Sequence, residues 1–128
     1  MVSNLFDLTG KVAFITGSTK GIGRSMATAM AHHGATVVIC SRKADACDRV
    51  AAEINAELHH EAGSAVAIPA NIGDKAALEK LVAATYAQLG RIDILVCNAA
   101  VNPYYGSMSE LPDAAFEKIL GVNIIANH

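Results

Sequence analysis

A glycine-rich segment near the amino terminus is the part of the sequence whose residue types point most directly to chemistry. An apolar run precedes it, an amphipathic segment follows it, and its residues are Gly17, Ser18, Thr19, Lys20, Gly21, Ile22 and Gly23. Glycines allow a tight turn and a close approach of the backbone to a pyrophosphate, and the free N–H groups of a following helix attract negative charge. We therefore predict that these residues bind the phosphates of a nucleotide.

Two alternatives to that interpretation concern what the loop holds. One is a glycine-rich turn without a ligand, because the spacing is G-x-x-x-G-x-G and not the commoner G-x-G-x-x-G. The position of the loop between a predicted strand and a predicted helix favours binding. The other alternative, a Walker A loop, is excluded because Gly-Lys is nowhere followed by Ser or Thr.

The residues after the second apolar run could read the ribose of such a nucleotide. An acidic residue at that place accepts the 2′-OH of NAD, whereas an arginine accommodates the 2′-phosphate of NADP. The sequence there is Cys40-Ser41-Arg42-Lys43, with no Asp or Glu. The planar fork of Arg42 and the hydroxyl of Ser41 suit a phosphate. We expect a preference for NADP(H), with NAD(H) as the alternative; Arg42 and Lys43 could instead be solvated residues at the start of a helix.

Short apolar runs alternate with longer amphipathic segments along the chain. Runs rich in β-branched residues predict strands at residues 11–16, 36–40, 65–69 and 92–97. Helical spacing of apolar side chains predicts helices at residues 22–33 and 44–61, a third between a cap at Asp74 and Gly90, and a fourth that begins at Asp113 and still runs at His128.

This alternation predicts an α/β fold of one domain, residues 1–128. We expect a Rossmann-like, doubly wound parallel sheet with helices on both faces and the strand order 3-2-1-4. The 128 residues suit a single dinucleotide-binding domain, and 52% hydrophobic residues are enough to form a packed core.

Composition and charge narrow the classes of partner and compartment. A net charge of −2 gives no field that would hold nucleic acid, and no apolar run is long enough to span a membrane. The amino terminus has no signal-peptide pattern, and the three cysteines form no CxxC pair. We therefore expect buried thiols, a reducing compartment and a cytoplasmic location.

Two histidine pairs are the remaining candidates for a metal site. The pairs His32-His33 and His59-His60 lack the i, i+4 spacing with which a helix presents two ligands to one ion. Because both pairs lie near predicted helix ends, a favourable interaction with the helix dipole explains them better. We expect no metal site.

Three segments together resemble the short-chain dehydrogenase/reductase family. Residues 16–23 match its TGxxxGIG motif residue for residue, Cys97-Asn98-Ala99-Ala100 is similar to its NNAG motif, and Val122-Asn123 is similar to its helix asparagine. The resemblance implies that Asn71 and Ile72 bind adenine and that Asn98, Ala99 and Ala100 pass beneath the cofactor ribose and nicotinamide. It also implies that Asn123 is a catalytic-site residue, which holds a water near the catalytic lysine. Structural roles, as a turn-forming Asn98 and a buried or helix-bending Asn123, are the alternatives.

The proton donor that such chemistry needs is not found in these 128 residues. The family uses a tyrosine with a lysine four residues on, because a neighbouring cation favours the phenolate. Tyr86, Tyr104 and Tyr105 are followed at that spacing by glycine, methionine and serine. Tyr104 and Tyr105 could line a substrate mouth, although packing is the simpler role. The resemblance implies that the serine and the Tyr/Lys pair lie beyond His128, so we expect residues 1–128 alone to be inactive.

Two classes of function stay open at this stage. The first is an NADP(H)-dependent oxidoreductase that acts on a small alcohol or ketone and forms a homo-oligomer, a dimer or a tetramer. The second is a non-catalytic dinucleotide-binding module, such as a sensor or a subunit. A Rossmann-like fold for another ligand, such as a methyl donor, is disfavoured by the three ordered motifs. Because the fourth strand would form an exposed edge, we expect the chain to fold poorly alone.

Overall fold

Four parallel strands with helices on both faces form the fold. The computed structural model describes residues 4–58 and 63–128, and the sheet order is β3-β2-β1-β4. The strands are β1 (Val12–Thr16), β2 (Thr36–Cys40), β3 (Ser64–Ala67) and β4 (Ile94–Val96). The helices are α1 (Gly21–His32), α2 (Ala44–Glu57), α3 (Lys75–Leu89) and α4 (Asp113–Asn123). The predicted α/β fold and its strand order 3-2-1-4 are confirmed.

Several predicted boundaries are wrong. The second helix ends at Glu57, and the rest of its predicted span, after Leu58, lies outside the described residues. The last helix does not run on to His128, because Ile124 leaves the helical conformation at φ −122° and a 3-10 turn follows. The fourth strand is shorter than residues 92–97, since the carboxylate of Asp93 accepts the N–H of Val12 at 2.8 Å.

The limits of α3 agree with the signals in the sequence. The side chain of Asp74 accepts a hydrogen bond from the N–H of Ala77 at 3.1 Å, which satisfies one of the free donors of the first turn. At the other end Gly90 takes the left-handed conformation, with φ 76°, and its N–H donates to the carbonyl of Tyr86. Among the described residues, no helix is both long and apolar enough to cross a membrane.

Side chains alternate along the central strands between two apolar clusters, one on each face of the sheet. The first contains Ala13, Ile15, Val37 and Ile39, packed against the buried faces of α1 and α2. The second contains Val12, Phe14, Val38 and Cys40, packed against Ile72 and Leu81. Because both faces of β1 and β2 are covered, these strands are apolar at nearly every position. This rigid centre fixes where the loops after the strands begin.

The two edges of the sheet differ in how their backbone is satisfied. At the β3 edge, the carboxamide of Asn55 on α2 donates to the carbonyl of Ala65 at 2.9 Å and accepts from its N–H at 2.8 Å. The side chain thus replaces a neighbouring strand. In the described part of the chain, β4 has no strand beyond it, and Leu95 at its centre is 61% exposed.

Removing the amide of Asn55 tests whether it closes the β3 edge. Asn55→Ala leaves the N–H and C=O of Ala65 without their partner, so we expect a loss of about 1–2 kcal/mol in the free energy of unfolding. Urea denaturation followed by circular dichroism measures the loss. Gln88→Ala, an exposed change on α3, is the control and should be neutral. Equal stability of the two variants would show that the two bonds contribute nothing.

Candidate nucleotide-binding site

A cleft of about 450 Å³ lies where the carboxyl ends of the four strands meet α4. In an open parallel sheet this edge is where ligands bind. Its lining residues come from the loops after all four strands and from α4: Gly17, Thr19, Lys20, Cys40, Ser41, Arg42, Ala70, Asn71, Ile72, Gly73, Ala99, Ala100, Val101, Lys118 and Val122.

Most of the residues predicted to bind a cofactor line this cleft. They are Gly17, Thr19, Lys20, Ser41, Arg42, Asn71, Ile72, Ala99 and Ala100. The others, which are absent from the lining, are Ser18, Gly21, Ile22, Gly23 and Asn98. Gly21 and Ile22 form the exposed first turn of α1, and the side chain of Ile22 is 75% exposed. The buried face of that helix is formed by Gly23, Ala27 and Ala31.

Two glycines of the loop are required by close contacts of the backbone. Gly17 has φ +64°, and a Cβ there would lie 3.0 Å from the Cα of Ala99. A Cβ on Gly23 would collide with the carbonyl oxygen of Gly17 and with the amide of Asn98. The loop after β1 and the loop after β4 are thus in direct contact, and neither position has room for a side chain.

Hydrogen bonds fasten those two loops together. The hydroxyl of Thr16 accepts from the N–H of Asn98 at 3.0 Å and of Ala99 at 2.9 Å. The side-chain amide of Asn98 donates to the carbonyls of Thr16 and Gly17 at 3.0 and 3.1 Å. Asn98 therefore supports the loop outside the cleft. The sequence places Thr16 in the glycine motif but does not predict that its hydroxyl binds the loop after β4.

Ser18 connects the ends of β1 and β2. Its buried hydroxyl donates to the carbonyl of Ile15 at 2.8 Å and accepts from the N–H of Cys40 at 2.9 Å. Its own N–H donates to the carbonyl of Cys40 at 3.1 Å. Since all these groups are satisfied within the protein, the side chain of Ser18 holds the shape of the loop and faces away from the cleft.

Just after the end of β2, Ser41 and Arg42 line the cleft. The hydroxyl of Ser41 accepts from the N–H of Lys43 at 3.3 Å and lies 3.4 Å from the sulfur of the buried Cys47. Arg42 is exposed, and within residues 4–58 and 63–128 it makes no ion pair. Its guanidinium is therefore available to an anion in the cleft.

Asn71 and Ile72 form the far wall of the cleft after β3. The amide oxygen of Asn71 accepts from the N–H of Gly73 at 3.1 Å, which orients the carboxamide, and Ile72 packs into the second apolar cluster. An amide oxygen has a second lone pair and the amide nitrogen has two protons. The side chain can therefore still form polar contacts with a planar base that lies against Ile72.

Asn123 anchors α4 to the loop after β4. Its amide oxygen accepts from the N–H of Val101 at 2.8 Å, and its amide nitrogen donates to the carbonyl of Val101 at 3.0 Å. The carbonyl oxygen of Asn123 accepts from the side chain of Asn127 at 2.9 Å. The polar side chain on this helix thus has its partners, and it fixes the position of residues 99–101 relative to α4.

The three thiols differ in exposure. Cys40 and Cys47 are buried as expected, and burial raises the pKa of Cys40 to about 11, with a smaller contribution from Cys47. Cys97 is exposed, so the expectation of three buried thiols is wrong. The physical reason is that Leu95 and Cys97 lie on the uncovered side of the edge strand β4, where they line an apolar groove of about 730 Å³ with Val82 and Tyr86.

Other predicted features lie away from the cleft. The hydroxyl of Tyr104 donates to the carbonyl of Ser107 at 3.2 Å, and Tyr105 is fully exposed. The pair His59-His60 lies outside the described residues, and in the described part no cluster of His, Cys, Asp and Glu could hold a metal ion.

A doubly wound sheet with a glycine loop, and a cleft at the carboxyl ends of its strands, defines a nucleotide-binding domain of the Rossmann-like class. The sequence model of the family described as short chain dehydrogenase matches residues 11–127. The chain belongs to that family.

Individual relatives show the same similarity in sequence and structure. Dehydrogenase/reductase SDR family member 4 of Oryctolagus cuniculus is 41% identical over 119 residues, which are 93% of this chain and 44% of that protein. A metagenomic short-chain oxidoreductase in complex with NADP superposes with a TM-score of 0.83 at 30% identity, over 93% of this chain and 52% of that one. For the 3-ketoacyl-(acyl-carrier-protein) reductase of Brucella melitensis complexed with NADH, the TM-score is 0.84 at 36% identity, over 94% and 47%. The chain therefore spans about half the length of these proteins.

Two substitutions test whether the hydroxyl of Thr16 holds the loops after β1 and β4 together. Thr16→Val removes the acceptor for two N–H groups, so we expect a loss of about 1–3 kcal/mol in the free energy of unfolding. Thr16→Ser keeps the hydroxyl and should lose less than half as much. The measurement is urea denaturation of both variants beside the unaltered chain. If valine costs no more than serine, the loss does not come from the hydroxyl, and the role assigned to Thr16 fails.

Proposed function

We propose that this chain is the cofactor-binding part of a short-chain oxidoreductase that uses NADP(H) in preference to NAD(H) on a small alcohol or carbonyl substrate. The observation that carries the proposal is the composition of the cleft. Backbone of the glycine loop and the cations Lys20 and Arg42 border it, and within residues 4–58 and 63–128 no Asp or Glu lines it. Such a surface favours a ligand with several phosphates.

The placement of the lining residues supports an assignment for each part of a dinucleotide. Gly17, Thr19, Lys20 and the first turn of α1, with Gly21, Ile22 and Gly23, would hold the pyrophosphate. Ser41 and Arg42 would take the 2′-phosphate. Asn71 and Ile72 would hold the adenine, and Ala99 and Ala100 would leave space for the second ribose and the nicotinamide. Ser18 and Asn98 would act by shaping the loops, through the bonds described above.

The preference between the two cofactors would come from the end of β2. Relatives of this fold have been solved with NADP and with NADH, so the fold alone does not select one of them. A carboxylate at the strand end would repel the 2′-phosphate, and this chain has Ser41 and Arg42 there. The unpaired guanidinium is the group that would discriminate.

In the reaction, this chain would bind and orient the cofactor. NADPH, when bound, supplies a hydride for a carbonyl carbon. Asn123 would position the loop of residues 99–101 against α4, and thereby the floor of the nicotinamide site. The proton donor would come from residues after His128. A homo-oligomer and a cytoplasmic location stay predictions; the apolar groove beside β4 and the free buried thiols of Cys40 and Cys47 support them.

Replacement of the guanidinium tests the cofactor preference. Arg42→Gln removes charge-assisted bonds to the 2′-phosphate, so we expect the dissociation constant for NADPH to rise about 10- to 100-fold while that for NADH changes less than about twofold. Fluorescence titration of both cofactors gives the constants. Lys80→Gln on α3 changes the net charge equally and lies outside the cleft, so it should change neither. Equal affinity of the unaltered chain for both cofactors would refute the preference.

The same chain is expected to bind without turnover. Because none of its tyrosines has the lysine that lowers a phenol pKa, residues 1–128 with NADPH and a panel of ketones should oxidise cofactor no faster than a protein-free control. Absorbance at the NADPH band follows the rate. Turnover above that control would contradict the assignment of the proton donor to later residues.

Sequencing the DNA past codon 128 distinguishes between an enzyme and a non-catalytic module. The oxidoreductase requires an in-frame serine and a Tyr-x-x-x-Lys downstream. A stop codon at that place would favour a nucleotide-binding sensor or subunit, with the cleft used for binding alone.

A further inference from the structure

Lys118 is a cation of the cleft that no motif in the sequence singles out. It lies on α4 one turn before Val122, and both residues line the cleft. Residues four apart share one face of a helix, so α4 presents the two side chains together. Val122 is near the loop after β3, where a Cβ on Gly73 would lie 3.8 Å from its Cγ2. Lys118 therefore stands on the α4 wall, on the adenine side of the proposed site.

The position of this wall is fixed by contacts other than those of Lys118. Asn123 binds both backbone groups of Val101, and Val122 packs against the apolar cluster that contains Ile72. Lys118 itself is exposed. A substitution at Lys118 consequently changes the charge of the cleft while the bonds that hold α4 remain.

All three arginines outside the cleft form ion pairs, whereas the lysines of the described residues, in the cleft and outside it, form none. Arg24 and Arg49 pair with Glu53, and Arg91 pairs with Asp93. Lys20, Arg42 and Lys118, which come from three separate elements, form no ion pair within the part of the chain that the structure describes. Among the described residues, these three cations line the cleft and no Asp or Glu does, which favours an anionic ligand.

We infer that Lys118 is a specificity-determining residue of this cleft, which attracts a nucleotide more strongly the more negative charge the nucleotide carries. This inference rests on the proposed function and extends it. Arg42 would recognise the 2′-phosphate by direct bonds, whereas Lys118 would act through the field across the cleft. Because Lys118 is exposed, its Coulomb attraction for the ligand is weakened by water and salt, so the effect is moderate and depends on ionic strength.

Four ligands of graded charge test the inference on the 128-residue chain: 5′-AMP, 2′,5′-ADP, NAD⁺ and NADP⁺. For Lys118→Gln in a low-salt buffer, we expect the dissociation constants of 2′,5′-ADP and NADP⁺ to rise about three- to tenfold, and those of 5′-AMP and NAD⁺ by less than half that factor. The difference should disappear near 1 M salt, where the Debye length is about 3 Å. Isothermal titration calorimetry measures all four constants.

Three further variants make the result specific to charge at this position. Lys118→Arg keeps the cation and should bind as the unaltered chain does. Lys118→Glu doubles the change in charge and should weaken 2′,5′-ADP further. Lys80→Gln is the control outside the cleft and should have no effect. Circular dichroism spectra of the variants check that the helices are retained.

The outcomes separate this inference from the function on which it rests. If the unaltered chain binds NADP⁺ and Lys118→Gln binds each of the four ligands as tightly as the unaltered chain does, the role of Lys118 is refuted and the proposed function stands. A loss that is the same for every ligand and at every salt concentration also refutes it, because the side chain would then act by contact. If the unaltered chain is folded by its circular dichroism spectrum and binds none of the four, the proposed function itself fails.

Discussion

The junction between the loops after β1 and β4 is the contact on which the cleft depends. Thr16, Gly17 and Asn98 meet there with their backbones so close that two glycines are obligatory and one hydroxyl satisfies two N–H groups. Ser18 extends this junction to the end of β2. Because three strands of a rigid sheet end at one network of bonds, the loops that border the cleft start from fixed positions.

A second attachment adds α4 to that framework. The carboxamide of Asn123 bonds to Val101 as a neighbouring strand would, and Val122 packs against the cluster around Ile72. The helix thereby becomes a wall of the cleft and brings Lys118 to it. Asn123, which resembles the catalytic-site asparagine of the family, thus has a structural role within this chain. That role explains why a polar residue occupies the apolar side of the helix.

The sequence was informative where local patterns decide the structure. Alternating apolar runs and right-handed connections led to the strand order 3-2-1-4, and the glycine spacing led to the cleft. The sequence patterns failed where long-range contacts determine the structure. Lys118 and Val101 join the site through the packing of α4 against the loop after β4, which no spacing in the sequence predicts. Cys97 ends an apolar run and was expected to be buried, yet it lies on the open side of an edge strand. The last helix ends at Asn123 because the backbone of Ile124 leaves the helical conformation. No glycine or proline follows Asn123 that would have predicted this end from the sequence.

The two edges of the sheet differ in how far they are covered. Asn55 closes the β3 edge, whereas β4 borders an apolar groove beside exposed Leu95. The binding function proposed here resides at the other end of the strands, in the cleft of Lys20, Arg42 and Lys118.

The central claim is that this cleft holds the dinucleotide. Two-dimensional ¹H–¹⁵N NMR spectra of the labelled chain, recorded during titration with NADP⁺, test it most directly. We expect the largest shifts on the amides of residues 17–23, 41–42, 71–73 and 99–101 and of Lys118, with small changes at Leu95 and Tyr86 in the apolar groove. Shifts concentrated in the groove, or no shifts at saturating NADP⁺, would contradict it.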